Sequence, residues 1–304
     1  MRDKIFTFLK RSDSGENNWK LNCESNHKYA EKIINRKMAA FILICAAVIY
    51  LLTIFIWGLC MDPAEYDVNF AEKMISPGRG HIFGTDVMGR DMLKRSVKAM
   101  SNSLVIGLIA SAFSAFVALV FGIASAVFGG WIDRIIKLAV DLCMGLPHLV
   151  LLILISCMMG KGAVGVTVAV ALTHWPGLTR IVRQEVLEVR TSQYVKAAEK
   201  MGKSPIQIAV THMVPHVLPS FLIGLVLLFP HAIMHEASVT FLGFGLSRET
   251  PAIGVILAES MNYLTTGKWW MAFFPGLMLF IVVIFFDLIG EVLKKLWNPG
   301  SGNE

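Results

Sequence analysis

Residues 194–219 read YVKAAEKMGKSPIQIAVTHMVPHVLP, a basic stretch set between two apolar segments long enough to cross a bilayer. Within it, residues 197–204, AAEKMGKS, come within one residue of the phosphate-loop pattern GxxxxGK[ST], with Ala197 where the first glycine belongs. That loop needs a strand before it and a helix continuing from its Gly-Lys end, so that amide groups point at phosphate. Here the preceding residues are helix-forming and Pro205 follows at once, so nucleotide binding by this chain is not expected. The stretch reads instead as two short helices joined by a tight turn. Gly202 supplies the left-handed residue that ends the first helix. Ser204 caps the second, and Pro205 suits its first turn, where a missing amide hydrogen costs nothing. Pro215 and Pro219 are expected to break the chain before the next apolar run. Tyr194, Ala197, Ala198 and Met201 recur at helical spacing, forming a shallow face that a partner's groove could accept. On spacing alone, a plain solvated loop fits as well.

The surroundings of this stretch set the protein class. The chain has 304 residues, of which 55% are hydrophobic and 16% charged. A soluble domain would carry about 25% charged residues. Long uncharged runs account for the difference, which makes this an all-α integral membrane protein. The formal charge of +6 sits at the flanks of the apolar runs, a placement that fits membrane topology better than a nucleic-acid-binding face. Five scattered cysteines form no CxxC pair, so neither a disulfide framework nor a zinc site is read. The first apolar run starts near Met38 with no clear cleavage site after it, as in a retained anchor. The opening MRDKIFTFLKR could lie on the membrane surface as a short amphipathic helix or hang as a loose tail.

Six segments suit a crossing: 39–59, 104–128, 138–158, 163–178, 217–242 and 270–291. With both termini inside, inner segments hold nineteen of the 28 Lys and Arg residues, so the positive-inside rule makes residues 194–219 cytoplasmic. The second segment repeats small residues every fourth position (Gly107, Ser111, Ala115, then Ala118, Gly122, Ala126), which lets helix backbones approach closely. Residues 247–268, with Pro251, Gly254 and Gly267, cannot be a span and are expected to fold back as a short outer helix. Trp269 and Trp270 mark the outer interface.

Ionised groups at membrane depth are costly and raise functional questions. Asp141, His231, His235 and Glu236 are the candidates for a translocation path. His231 and His235, four apart, share a helical face and could hold a borderline metal such as nickel. Equally, they could be bonded to neighbouring helices or line a wet path, since two ligands without a third do not make a site.

Several motifs resemble one family. Ala197, Ala198, Gly202 and Met213-Val214-Pro215 match the EAA loop of the membrane subunits of ABC importers, with Lys196 where the family has an acidic residue. HIFGTDVMGRDMLKRS (81–96), VTFLGFGL (239–246), PAIGVILAESMNYL (251–264) and FDLIGEVLKKLWNP (286–299) resemble segments of dipeptide, oligopeptide and nickel permeases. The resemblance implies a type I ABC importer permease fold with six transmembrane helices and a cytoplasmic coupling helix. The chain would divide into a cytoplasmic tail (1–38), which the resemblance does not cover, a first helix with an extracytoplasmic loop (39–100), a core permease domain (101–292) and a cytoplasmic C-terminal tail (293–304). Within the core, the coupling loop would span 179–216 and the outer excursion 243–268. Tyr194, Ala197, Ala198, Met201, Gly202 and Pro215 would couple the chain to ATPases. The implied partners are a second homologous permease, two ATP-binding subunits and an extracytoplasmic solute-binding protein, in the lipid bilayer and without nucleic acid. The chain itself would be no enzyme and hold no cofactor, ATP being bound by the partner subunits. Peptides or nickel and metal chelates would be the cargo.

Two rivals remain on the residues alone. An ion-coupled secondary transporter would need coupling residues in broken helices and internal repeats, neither of which is evident. A membrane metalloenzyme would need a third ligand and the HExxH order, which the HxxxHE of residues 231–236 lacks.

Overall fold

The computed structural model describes Met38 and residues 41–297; the expectations for the rest of the N-terminal tail and for residues 298–304 lie outside them. Two compact units divide at Val48, and of the first only Met38 and the opening of one helix are described. Among the described residues, the secondary structure is helical throughout, with one isolated bridge pair, Thr85 and Asp91. The helices are α1 (Phe41–Cys60), α2 (Met92–Phe128), α3 (Gly130–Gly145), α4 (His148–Met158), α5 (Gly162–Thr173), α6 (Trp175–Arg190), α7 (Gln193–Lys200), α8 (Pro205–Ile208), α9 (Val214–Phe241), α10 (Ile253–Leu264) and α11 (Trp270–Trp297).

Four stretches are long and apolar enough to cross a membrane: Phe41–Cys60, Met92–Phe128, Pro205–Phe241 and Trp270–Lys295. The α3–α4 pair, bent by 99°, raises this to five at most. The expected count of six is therefore not reached by length and composition. Expected span 138–158 is broken because Pro147 follows the end of α3 and leaves Leu146 extended. Expected span 163–178 is two elements: α5 has twelve residues, about 18 Å of helix, and α6 begins at Trp175 with Pro176 in its first turn.

Two other boundaries differ from the sequence reading. Helix α2 starts at Met92, not Leu104, because the Asp91 carboxylate accepts from the amides of Leu93 (2.9 Å) and Lys94 (3.0 Å) and caps it there. Pro215 and Pro219 do not break the chain, which is helical from Pro205 to Phe241. A π turn over Ala209–Met213 precedes them, with the Val214 amide donating to the Ala209 carbonyl. That wider turn shifts the hydrogen-bond register ahead of Pro215, whose missing amide then falls in the opening turn of α9.

The small-residue face of α2 organises the packing. A Cβ on Gly122 would lie 2.6 Å from Val182 Cγ1 of α6, and one on Gly107 would lie 2.6 Å from Ile233 Cγ1 of α9. Ala115, Ala118 and Ala126 join Val182, Val186 and Val189 in a buried cluster that continues through Val195 and Ala198 to Ile208, Met213 and Val217. The expected close approach is therefore spent within the chain. Helix α10 folds back as expected, but its Ile253 and Ile256 are fully buried. Of the two tryptophans, only Trp269 is exposed; Trp270 is buried, its indole donating to the Thr85 carbonyl (3.4 Å).

Residues 81–96 are held by a buried ionic knot. Asp86 Oδ2 accepts from Arg90 Nε (2.6 Å) and Arg95 (3.0 Å), while Oδ1 accepts from the amides of Met88 and Arg90. Arg95 also reaches Glu259 on α10 (2.7 Å). The charged residues of this motif thus fix a turn and tie it to α10.

Gly122→Val should overpack the α2–α6 contact and cost about 1–3 kcal/mol. The purified protein should unfold at a lower temperature by circular dichroism, whereas Gly145→Ala, where an added Cβ meets nothing, should not.

Candidate functional site

The quoted stretch forms a hairpin of α7 and α8 between α6 and α9. Gly202 has φ +77°, its amide donates to the Glu199 carbonyl (3.0 Å), and the Lys203 amide donates to Ala198 (3.3 Å). This pair of bonds closes α7 with a left-handed residue. At α8 the Ser204 hydroxyl accepts from the Gln207 amide (3.3 Å), and the Gln207 side chain accepts from the Ser204 amide (3.1 Å). Both short helices are therefore capped by their own sequence.

The expected face of Tyr194, Ala197, Ala198 and Met201 divides in two. Ala198 is buried with Val195 against the α2–α6 core, while Tyr194, Ala197 and Met201 point outward, Met201 at 76% exposure. Ile206 and Val210 extend the outward apolar face, each 61% exposed. Their four-residue spacing in a polar loop was a visible signal for them. Gly202 is required by its dihedral and not for close contact, since a Cβ there would meet nothing in this chain. Pro215 is exposed in the first turn of α9, and Lys196 is exposed on α7.

The base of this hairpin is fixed by charge. Arg183 of α6 donates to Asp133 of α3 through Nε (2.7 Å) and a terminal nitrogen (3.0 Å). Ser125 of α2 and Lys137 meet the same carboxylate, and Arg190 donates to the Ala126 carbonyl (2.8 Å). Asp141 pairs with Arg180 (2.7 Å) in an open groove between α3 and α6, both side chains more than half exposed.

The other candidates separate. His235 does not act with Glu236, which is turned into the core. There, one Glu236 oxygen accepts from the Thr240 hydroxyl (3.0 Å) and the other has no partner. The Thr240 hydroxyl also accepts from the Leu246 amide (3.3 Å), and Gly245 packs directly on Thr240, so VTFLGFGL is a turn locked onto α9. The Phe244 and Gly245 carbonyls accept from Ser156 and Gly162, tying this turn to the α4–α5 connection. His235 instead meets His148 and His174, with ring centroids 4.5 Å and 5.1 Å away and 4.8 Å between the latter two. One nitrogen from each lies within 4.8 Å of the others. His231 is exposed one turn away on α9. Sequence reading places His148 and His174 within spans but does not join them to His235, because they are 26 residues apart and far from 235, and only the bends after Gly145 and Thr173 bring them together.

Comparison with known proteins places this architecture. Residues 118–298 match the family described as binding-protein-dependent transport system inner membrane component. The chain is 32% identical over 243 residues to the nickel transport system permease protein NikC of Escherichia coli, covering 80% of this chain and 87% of that protein. It is 29% identical over 231 residues to the dipeptide transport system permease protein DppC of Bacillus subtilis, covering 76% and 72%. The fold matches inward-facing conformations of the MetNI methionine ABC transporter with a TM-score of 0.56 at 19% identity, over 67% of this chain and 96% of that one. No finding favours the ion-coupled alternative. The chain belongs to the family of binding-protein-dependent transport system inner membrane components and is a permease subunit of an ABC importer.

Proposed function

We propose that the α7–α8 hairpin is the handle by which partner ATPases move this permease. The observation that carries the reading is the division of its faces. Val195 and Ala198 lock it to the core, while Tyr194, Ala197, Met201, Ile206 and Val210 are left outward as an apolar surface on a polar hairpin. An apolar helical face of this kind suits a partner's groove. Capped at both helices and braced by Arg183–Asp133, the hairpin can transmit a push as a rigid body.

The chain contributes no nucleotide site in this reading; two ATP-binding subunits supply the energy, a second permease completes the path, and an extracytoplasmic binding protein delivers cargo. The hairpin and both termini are cytoplasmic, following the distribution of Lys and Arg. Cargo is drawn from the peptides and nickel that the relatives' names record. Lys196 in the acidic position of the coupling pattern implies a groove on the ATPase whose charge differs there. Asp141, paired with Arg180 in an open groove, serves α3–α6 geometry better than cargo contact.

Met201→Asp should leave the unfolding temperature nearly unchanged, as exposed substitutions do, yet abolish co-purification with the ATPase subunits and transport. Ala198→Leu, directed inward, should instead lower expression and thermal stability. Retained transport in M201D would contradict the assignment. Gly202→Val forces a β-branched residue into the left-handed region at a cost of about 1–2 kcal/mol. It should leave the chain inserted while uncoupling ATP hydrolysis from uptake; substrate-stimulated ATPase activity at the wild-type level would count against the handle. With the five native cysteines replaced by serine, Lys203→Cys should react with an impermeant thiol reagent only in inside-out vesicles, and labelling in intact cells would reverse the topology.

A further inference from the structure

We infer that His148, His174 and His235 form a binding site for one divalent transition-metal ion inside the helical bundle. The site lies away from the coupling hairpin and does not depend on the reading of that hairpin. Three imidazoles from three separate parts of the chain converge there: the first residue of α4, the single residue joining α5 to α6, and the middle of α9. Two of the three sit where the backbone leaves regular helix. In membrane proteins, such breaks persist where they are buried in protein or line a cavity.

The hydrogen bonding prepares the rings as ligands. His174 Nδ1 lies 2.9 Å from the Val170 carbonyl, to which it donates. That bond fixes the proton on Nδ1 and leaves the Nε2 lone pair free, the usual arrangement of a metal-ligating imidazole. His174 is 92% buried, being 8% exposed, and its Nε2 has no protein partner. His148 Nε2 is likewise buried without a partner. A buried imidazole nitrogen without a partner is costly, and two beside each other call for a shared electrophile. Among the described residues, the acid adjacent in sequence, Glu236, is turned into the core and accepts a hydrogen bond from Thr240.

The spacing suits one ion. Tetrahedral coordination at imidazole distances puts donor atoms roughly 3.4 Å apart. Closing from within 4.8 Å asks each ring to move by no more than about 1 Å, which side-chain rotation supplies. Three neutral nitrogens without carboxylate or thiolate select Ni²⁺, Co²⁺, Zn²⁺ or Cu²⁺ over Mg²⁺ and Ca²⁺, which require oxygen. His231, one turn before His235 on α9, is exposed and lies outside the group of three.

Equilibrium dialysis of the full chain in detergent against Ni²⁺ or Co²⁺ tests the site. One ion per chain is expected, retained against excess Mg²⁺. His174→Asn and His235→Asn should each weaken binding by about tenfold or more, whereas His216→Asn, on the exposed start of α9, should not. If the core variants fail to accumulate, the wild-type protein decides alone: bound Co²⁺ should show the intense visible absorption of a tetrahedral nitrogen site. Substoichiometric binding, an octahedral Co²⁺ spectrum, or affinity unchanged in both variants would overturn the inference. Coupling to ATPases is unaffected by any of these results, so the two readings fail separately.

Discussion

The structure depends on how closely α2 can approach its neighbours. Lipid supplies no hydrophobic force between helices, so packing must come from contact, and contact is densest where side chains are smallest. Gly107 admits Ile233 of α9 and Gly122 admits Val182 of α6 at distances no β-carbon would permit. These two contacts, about four turns apart on one helix, set the positions of α6 and α9. Since α7 and α8 hang between α6 and α9, the orientation of the hairpin follows from glycines far from it in sequence.

Charge then fixes what packing leaves free. Arg183 reaches from α6 to Asp133 on α3, with Ser125 of α2 on the same carboxylate, so three helices are joined at one point near the hairpin's base. At a separate place, Asp86 gathers Arg90 and Arg95, and Glu259 carries the network to α10. Both knots satisfy each carboxylate with several donors. That is the condition under which a buried ion pair holds geometry without leaving an unpaired charge.

Much of the hairpin was legible because its signals are local. Gly202, Ser204 and Pro205 act within one or two residues of themselves, and each adopts the conformation its chemistry requires. The division of its faces was less legible, since Ala197 and Ala198 are alike in sequence and differ only in what lies beneath them. Pro215 misled for a related reason. A proline ends a helix unless the preceding turn changes register, and the π turn at Ala209–Met213 has no composition of its own to announce it. Six spans are not reached by length and composition where Pro147 and the His174 junction divide apolar runs that hydropathy reads as continuous. The histidine cluster needs those same divisions, so its three rings come together through breaks that hydropathy does not register.

One element connects the hairpin and the cluster. Helix α6 begins immediately after His174 and ends three residues before α7. Its sixteen residues make a rod of about 24 Å. Trp175, Leu178, Val182, Val186 and Val189 bury it along its length in one cluster with residues of α2, and Arg183 braces its middle. Under the proposed coupling, a displacement delivered at Val195 and Ala198 would reach His174 as a change in its distance from His148 and His235. Imidazole coordination tolerates little such change, because ligand distances are held within about 0.2 Å. If partners drive the hairpin and the cluster holds a metal ion, as proposed, this placement of His174 at the start of α6 would make affinity at the cluster vary with the hairpin's position.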